Sequence, residues 1–322
     1  NVAPGATSAL VDMRRRLLRM LKANPEWIGV DADLEHLFGS WVNRGFLHLE
    51  RIDWRTPALI LEKLIQYEAV HEIAGWKDLQ RRLAADRRCF AFFHPALPEE
   101  PLIFIEVALT ERMITSVVPL LDPASPEADP ARADCAMFYS ITNCQEGLRG
   151  ISFGNLLIKQ VVNELGREFP RLKTFATLSP VPGFHAWLAG MPGKQTLSAA
   201  DLARLRSADW FENAAFAARV RPALMELCAY YLISQKRHNE PLDAVARFHL
   251  GNGARMEKLN WLADTAEAGM QRSAGIMVNY VYRLADVEKN HEAFVREHEI
   301  TASHELKKLA RDCALTHGAG EP

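Results

Sequence analysis

The stretch from residue 136 to residue 177 constrains the fold more than any other. Residues 136–142 are rich in strand-forming side chains. A turn follows, Gln145-Glu146-Gly147-Leu148-Arg149-Gly150-Ile151-Ser152-Phe153-Gly154-Asn155. Over residues 153–169, Leu157, Val161 and Leu165 recur one turn apart and Pro170 lies just beyond. That pattern predicts a helix with a defined end. Residues 172–177 read as another strand. Strand, glycine-bearing turn, helix and strand make an α/β unit, which needs further layers around it to bury both sides.

The remaining chain can supply them. It has 322 residues, 48% of them hydrophobic, enough for one large domain or two smaller ones. Residues 6–22 predict a helix whose apolar stripe is Leu10, Met13, Leu17, Met20 and Leu21. Arg14, Arg15, Arg16 and Arg19 flank that stripe and are expected to form a solvated basic edge. Pro25 ends this helix, and Asp31 is placed to cap a second one. Two such helices make a poor core. Residues 1–42 are therefore expected to be the end of a helical N-terminal domain that packs on a neighbour or another subunit. Residues 43–322 form an α/β (α+β) domain in this reading. Strands are expected at 45–52, 89–93, 102–109, 256–263 and 276–283, and helices at 57–67, 76–83, through most of 199–235 and over the last thirty residues. Residues 122–133 read as a loop.

Several function classes are disfavoured. Charged residues are 24% and the net charge is −2, so nothing electrostatic points to nucleic acid. Apolar runs such as 102–105 and 107–109 are far short of a membrane span. No signal peptide is evident, although the chain begins with Asn1 and an upstream segment has room to exist. The end, Gly318-Ala319-Gly320-Glu321-Pro322, is not a peroxisomal address. Cys89, Cys135, Cys144, Cys228 and Cys313 are odd in number and match no CxxC pattern, so reduced thiols in the cytoplasm are expected. There is no HExxH. His291, His298 and His304 are read as solvated helix histidines, and no metal is expected.

Glycines between a strand and a helix let the backbone approach a ligand. The amides of the first helical turn, aided by its dipole, then favour an anion such as a pyrophosphate. On its own this pattern is equally a tight turn. The run Arg149-Gly150-Ile151-Ser152-Phe153-Gly154-Asn155-Leu156-Leu157 resembles the acetyl-CoA loop of the GNAT acetyltransferases. It departs at Ser152, where glycine is usual, but serine keeps the N–H and adds a hydroxyl. Leu148, Arg149, Gly150, Ile151, Ser152, Phe153, Gly154 and Asn155 are the expected CoA-binding residues. GxGxxG is absent, which disfavours a dinucleotide site.

Two further segments carry chemistry. In Thr177-Leu178-Ser179-Pro180-Val181-Pro182-Gly183-Phe184, the prolines restrict Ser179 and Val181 to extended backbone. Ser179 is thus held stiffly, as a site residue would be, although a plain Pro-rich turn looks the same. Val245-Ala246-Arg247-Phe248-His249-Leu250-Gly251-Asn252-Gly253-Ala254 reads as a helix end closed by Gly251. His249 falls in the last turn, where the helix dipole favours the imidazolium form, suited to proton delivery. A structural histidine is the plainer alternative.

These pieces, in order, resemble the malonyl-CoA decarboxylase family. The resemblance also rests on Ser40-Trp41-Val42-Asn43-Arg44-Gly45-Phe46-Leu47, Tyr67-Glu68-Ala69-Val70-His71-Glu72-Ile73, Glu100-Pro101-Leu102-Ile103, Val107-Ala108-Leu109-Thr110, Phe138-Tyr139-Ser140-Ile141 and Gln145-Glu146-Gly147-Leu148. It covers residues 30–284. It implies a helical domain followed by a GNAT acetyltransferase-like catalytic domain, assembly as a homo-oligomer (dimer or tetramer), and no metal or added cofactor. It implies decarboxylation of malonyl-CoA to acetyl-CoA, with Ser179 and His249 as the catalytic pair and Asn252 and Pro180 as additional site residues. Arg149, Lys159 and Arg255 are candidates for the CoA 3′-phosphate. A CoA-dependent N-acyltransferase and a non-catalytic acyl-CoA sensor stay open as alternatives.

Overall fold

The computed structural model describes residues 5–42, 46–151, 157–190 and 197–317, with side chains through residue 313. The chain divides into two compact units. One comprises Asn1–Leu109, Pro126–Ala133 and Phe138–Arg171, and the other Thr110–Ser125, Asp134–Met137 and Leu172–Pro322.

The first unit begins with helices α1 (Ala6–Met20) and α2 (Ile28–Trp41). Strand β1 (His48–Ile52), helices α3 (Ala58–Tyr67) and α4 (Trp76–Arg82), and strands β2 (Arg87–Phe93) and β3 (Ile103–Thr110) follow. β2 pairs antiparallel with β3 across a short Pro-rich turn, and with β1 after the chain has passed through α3 and α4. Every residue of β2 is buried, so that strand lies in the core rather than half in water. Ile60, Leu61 and Leu64 of α3 pack with Leu79 of α4 and with Ala91 and Phe104 on one core.

The chain then passes through α5 (Val118–Leu121), β4 (Cys135–Asn143), a 3-10 turn at Glu146–Leu148 and α6 (Leu157–Glu168). This is the strand–turn–helix order expected. Residues 152–156 lie outside the described residues, and with them the expected helix start at Phe153.

Two expectations fail in α1 and α2. The basic edge of α1 is not all solvated: Arg14 is buried, while Met13 and Met20 of the apolar stripe are nearly half exposed. Asp31 does not cap α2, which starts at Ile28 without a side-chain cap; its carboxylate instead accepts from Arg14 Nε at 2.8 Å. A buried guanidinium must be paired, and it takes precedence over a cap that water can replace.

The second unit contains β5 (Thr174–Thr177), β6 (Ser179–Pro180), α7 (Phe184–Ala189), α8 (Ala199–Arg204), α9 (Ala214–Ile233), and a small hairpin of β7 (Lys236–Arg237) and β8 (Glu240–Pro241). After these come α10 (Ala244–Gly251), β9 (Arg255–Asn260), α11 (Glu267–Ser273), β10 (Met277–Val281), α12 (Val287–Glu297) and α13 (His304–His317). β10 pairs antiparallel with β9 on one side and with β5 and β6 on the other. Among the described residues no helix is long and apolar enough to cross a membrane. The fold class is mixed α/β, with helices leading the chain, as expected.

The end of α10 differs in detail. Gly251 is still helical, and Gly253 is the glycine that closes the helix, at φ +79°. The Gly253 N–H donates to Leu250 O at 2.9 Å and the Ala254 N–H to His249 O at 3.0 Å, the paired bonds of a Schellman ending. A Cβ at Gly253 would also stand 2.1 Å from Val287 O. Gly253→Ala is therefore expected to cost roughly 2 kcal/mol or more, read as a lower denaturant midpoint, and to displace His249, two residues before the end of α10.

Candidate active site

Ser179 and His249 meet in the second unit. Three steps place the serine. β5 leads in with Val281 opposite Ala176, and the same register continues to Val278 opposite Ser179 and Met277 opposite Pro180. Thr177 and Ser179, two apart along this edge, project to one face. Pro180 sits where its missing N–H leaves the short strand at its end. What the sequence suggested as a stiff loop is thus a strand end held by β10.

His249 comes from α10, whose start is tied by Asp243. Its carboxylate accepts from the Ala246 N–H at 2.8 Å, and burial raises its pKa to about 6. His249 is buried, stacks on Tyr280 with ring centroids 4.4 Å apart, and meets Phe248 edge-on at 5.1 Å.

Hydrogen bonding fixes the tautomer. Ser179 Oγ donates to Thr177 Oγ1 at 2.9 Å, so its bond of 2.9 Å with His249 Nε2 must run from N–H to Oγ. Nδ1 is then an acceptor, and the buried Tyr282 hydroxyl donates to it at 2.8 Å. The line runs from Tyr282 through His249 and Ser179 to Thr177. Sequence reasoning missed Tyr282 and Thr177 as members. A signal existed in Tyr280 and Tyr282, two apart near a predicted strand and so on one face.

The expected imidazolium is not found. Burial among aromatic rings pushes the His249 pKa from its usual 6.5 down to about 3. Desolvation of a charged ring outweighs the helix dipole, worth at most about 2 kcal/mol. His249 is therefore neutral, a donor through Nε2 only.

The other expected site residues are placed as follows. Asn252 caps α10, its amide donating to Phe248 O at 2.8 Å. Arg255 pairs with Glu257 at 3.1 Å. Lys159 is half-buried on α6 and Arg149 is exposed. His291 departs from the solvated reading: half-buried, its Nδ1 bonds Gly251 O at 2.7 Å. His298 ends α12 in a left-handed conformation, and His304 is exposed.

In the first unit, the turn at Glu146–Leu148 uses some of its own amides. Leu148, Arg149 and Ile151 donate to the carbonyls of Gln145, Glu146 and Leu148 at 2.9, 3.1 and 3.0 Å. Among the described residues the N–H of Gly150, at φ +86°, has no backbone acceptor. Ser152, Phe153, Gly154 and Asn155 lie outside the described residues. All five cysteines are buried free thiols.

Comparison with known proteins identifies the family. The family model of the malonyl-CoA decarboxylase C-terminal domain matches residues 45–318, and that of the N-terminal domain residues 1–42. The mitochondrial malonyl-CoA decarboxylase of Anser anser anser is 36% identical over 335 residues, covering 94% of this chain and 66% of that protein. The one from Rattus norvegicus is 36% identical over 95% of this chain and 68% of its own length. The crystal structure of malonyl-CoA decarboxylase from Rhodopseudomonas palustris is 52% identical with a TM-score of 0.90, covering 95% of this chain and 76% of that one. That from Agrobacterium vitis is 51% identical with a TM-score of 0.88, over 96% and 77%. By sequence and by structure, the chain belongs to the malonyl-CoA decarboxylase family.

Proposed function

We propose that this chain decarboxylates malonyl-CoA to acetyl-CoA and CO2, with Ser179 and His249 acting on the malonyl group. The observation that carries the reading is the buried Ser179–His249 hydrogen bond, backed at Nδ1 by Tyr282.

Breaking the bond between the methylene and the carboxylate leaves its electron pair on an enolate, with the charge on the thioester oxygen. Ser179 Oγ–H, swung from Thr177 to that oxygen, stabilises the charge. A preorganised donor of this kind is worth about 2.7–4 kcal/mol. His249 Nε2–H polarises the serine and orients the departing carboxylate. The carbon then takes a proton from the Ser179–His249 pair, and solvent restores it. Tyr282 at Nδ1 eases the negative charge that the ring acquires on giving up its proton. The CoA pyrophosphate is assigned to the turn that opens at Leu148, with the Gly150 N–H, which has no backbone acceptor among the described residues, as one of its donors. In this reading the reaction needs no metal or added cofactor, so dialysis against a chelator leaves the rate unchanged. A homo-oligomer working in the cytoplasm completes the proposal.

The protonation state has a kinetic signature. A required imidazolium would make kcat/KM fall as pH rises through 6.5. With His249 neutral above about 3, kcat/KM is expected to stay flat from roughly pH 6.5 to 8. A tenfold fall per pH unit in that window would contradict the neutral ring.

A nucleophilic serine is a different mechanism. It needs Nε2 as an acceptor for the Oγ proton, and the hydrogen bonds from Ser179 and Tyr282 put a proton there instead. Intact-protein mass taken during turnover is expected to show no malonyl or acetyl adduct. Malonyl-CoA supplied without any acceptor separates the proposal from an acyltransferase or a sensor, since only a decarboxylase makes acetyl-CoA from it.

A further inference from the structure

Arg14 lies in the N-terminal helix, far along the chain from the chemistry, and is 1% exposed. Its Nη1 donates to two carbonyls of the glycine turn, Gly147 O at 3.0 Å and Arg149 O at 2.9 Å. Its Nε is held by Asp31 at 2.8 Å, and Glu35 lies 3.7 Å from Nη2. Asp31 and Glu35 more than offset its single positive charge, so its effect on the turn is one of geometry. The fit leaves little slack: a Cβ on Gly147 would stand 2.1 Å from Val11 O on the same helix.

The carbonyls matter because of what lies opposite them. In a trans peptide the C=O and the next N–H point in opposite directions, and no peptide among the described residues is cis. Anchoring Arg149 O on Arg14 therefore turns the Gly150 N–H away from helix α1. Among the described residues that amide has no backbone acceptor, and neither do those of Gln145, Glu146 and Gly147 earlier in the turn.

We propose that Arg14 is a positioning residue for substrate binding: through Arg149 O it aims the Gly150 N–H at the pyrophosphate of the acyl-CoA. The inference rests on the assignment of the CoA pyrophosphate to this turn. It gives the helical segment a part in substrate recognition that its sequence did not suggest.

The test compares malonyl-CoA with malonyl-pantetheine, which has the same reacting group and no pyrophosphate. Arg14→Lys keeps the charge but not the two-carbonyl grip. It is expected to raise KM for malonyl-CoA about tenfold, with kcat within about twofold, and to leave kcat/KM for malonyl-pantetheine unchanged. Asp31→Ala, which retains the guanidinium and frees its Nε, is expected to shift KM the same way by about threefold; it serves if Arg14→Lys fails to fold. Equal losses on both substrates, or no loss on either, overturn the proposal. Gly150→Ala, run in parallel, separates the two layers. If it loses selectively on malonyl-CoA while the Arg14 and Asp31 variants do not, the pyrophosphate assignment stands and the role of Arg14 falls. If wild-type protein uses both substrates equally well, no pyrophosphate is being recognised and both fall together.

Discussion

His249→Gln is expected to lower kcat for malonyl-CoA by about 10²–10⁴-fold, the range of a well-placed proton-transfer group. Glutamine is the informative choice, because it keeps most of the volume in a buried ring pocket and limits the cavity that alanine would leave. KM is expected to change far less, since the imidazole acts on charge that develops only as CO2 departs. His249→Ala combines the same chemical loss with a packing loss beneath Tyr280, so its denaturant midpoint falls as well. A glutamine variant with near wild-type kcat and an intact fold would remove His249 from the mechanism.

Ser179→Ala is the second large effect, a fall in kcat of about 10²–10³-fold. The substitution deletes one hydroxyl and little volume, but leaves His249 Nε2–H without the acceptor it has at 2.9 Å. A buried donor without a partner costs about 1–3 kcal/mol, so part of the change appears in stability. Because serine and histidine act on the same charge, the Ser179→Ala, His249→Gln double variant is expected to be about as slow as the slower single one. Multiplicative losses would mean that the two side chains act in separate steps.

How much of this was legible in the sequence depended on whether the deciding forces were local. The α6 helix, the β9 and β10 strands and the stiffness of Ser179 follow from periodicity and from proline, which act over a few residues. The pairing of Ser179 with His249 does not, because their contact depends on the register of β5 and β6 against β10. The family resemblance supplied it instead. Tyr282 was readable in part, as the strand alternation puts it on the face of Tyr280. Its hydroxyl partner was not. The charge of His249 was misjudged because the helix end was considered without the rings that bury it. Arg14 was misjudged for a related reason. Clustered arginines on a helix usually face water, and the two carbonyls that bury this one come from more than a hundred residues away.

The most direct test of the central claim is product analysis in D2O with malonyl-CoA as the only substrate. The account predicts one CO2 per acetyl-CoA, no free CoA, and one deuterium in the acetyl methyl, placed there when the enolate carbon is protonated. Malonyl-CoA recovered intact, or its conversion to malonate and free CoA, would contradict it.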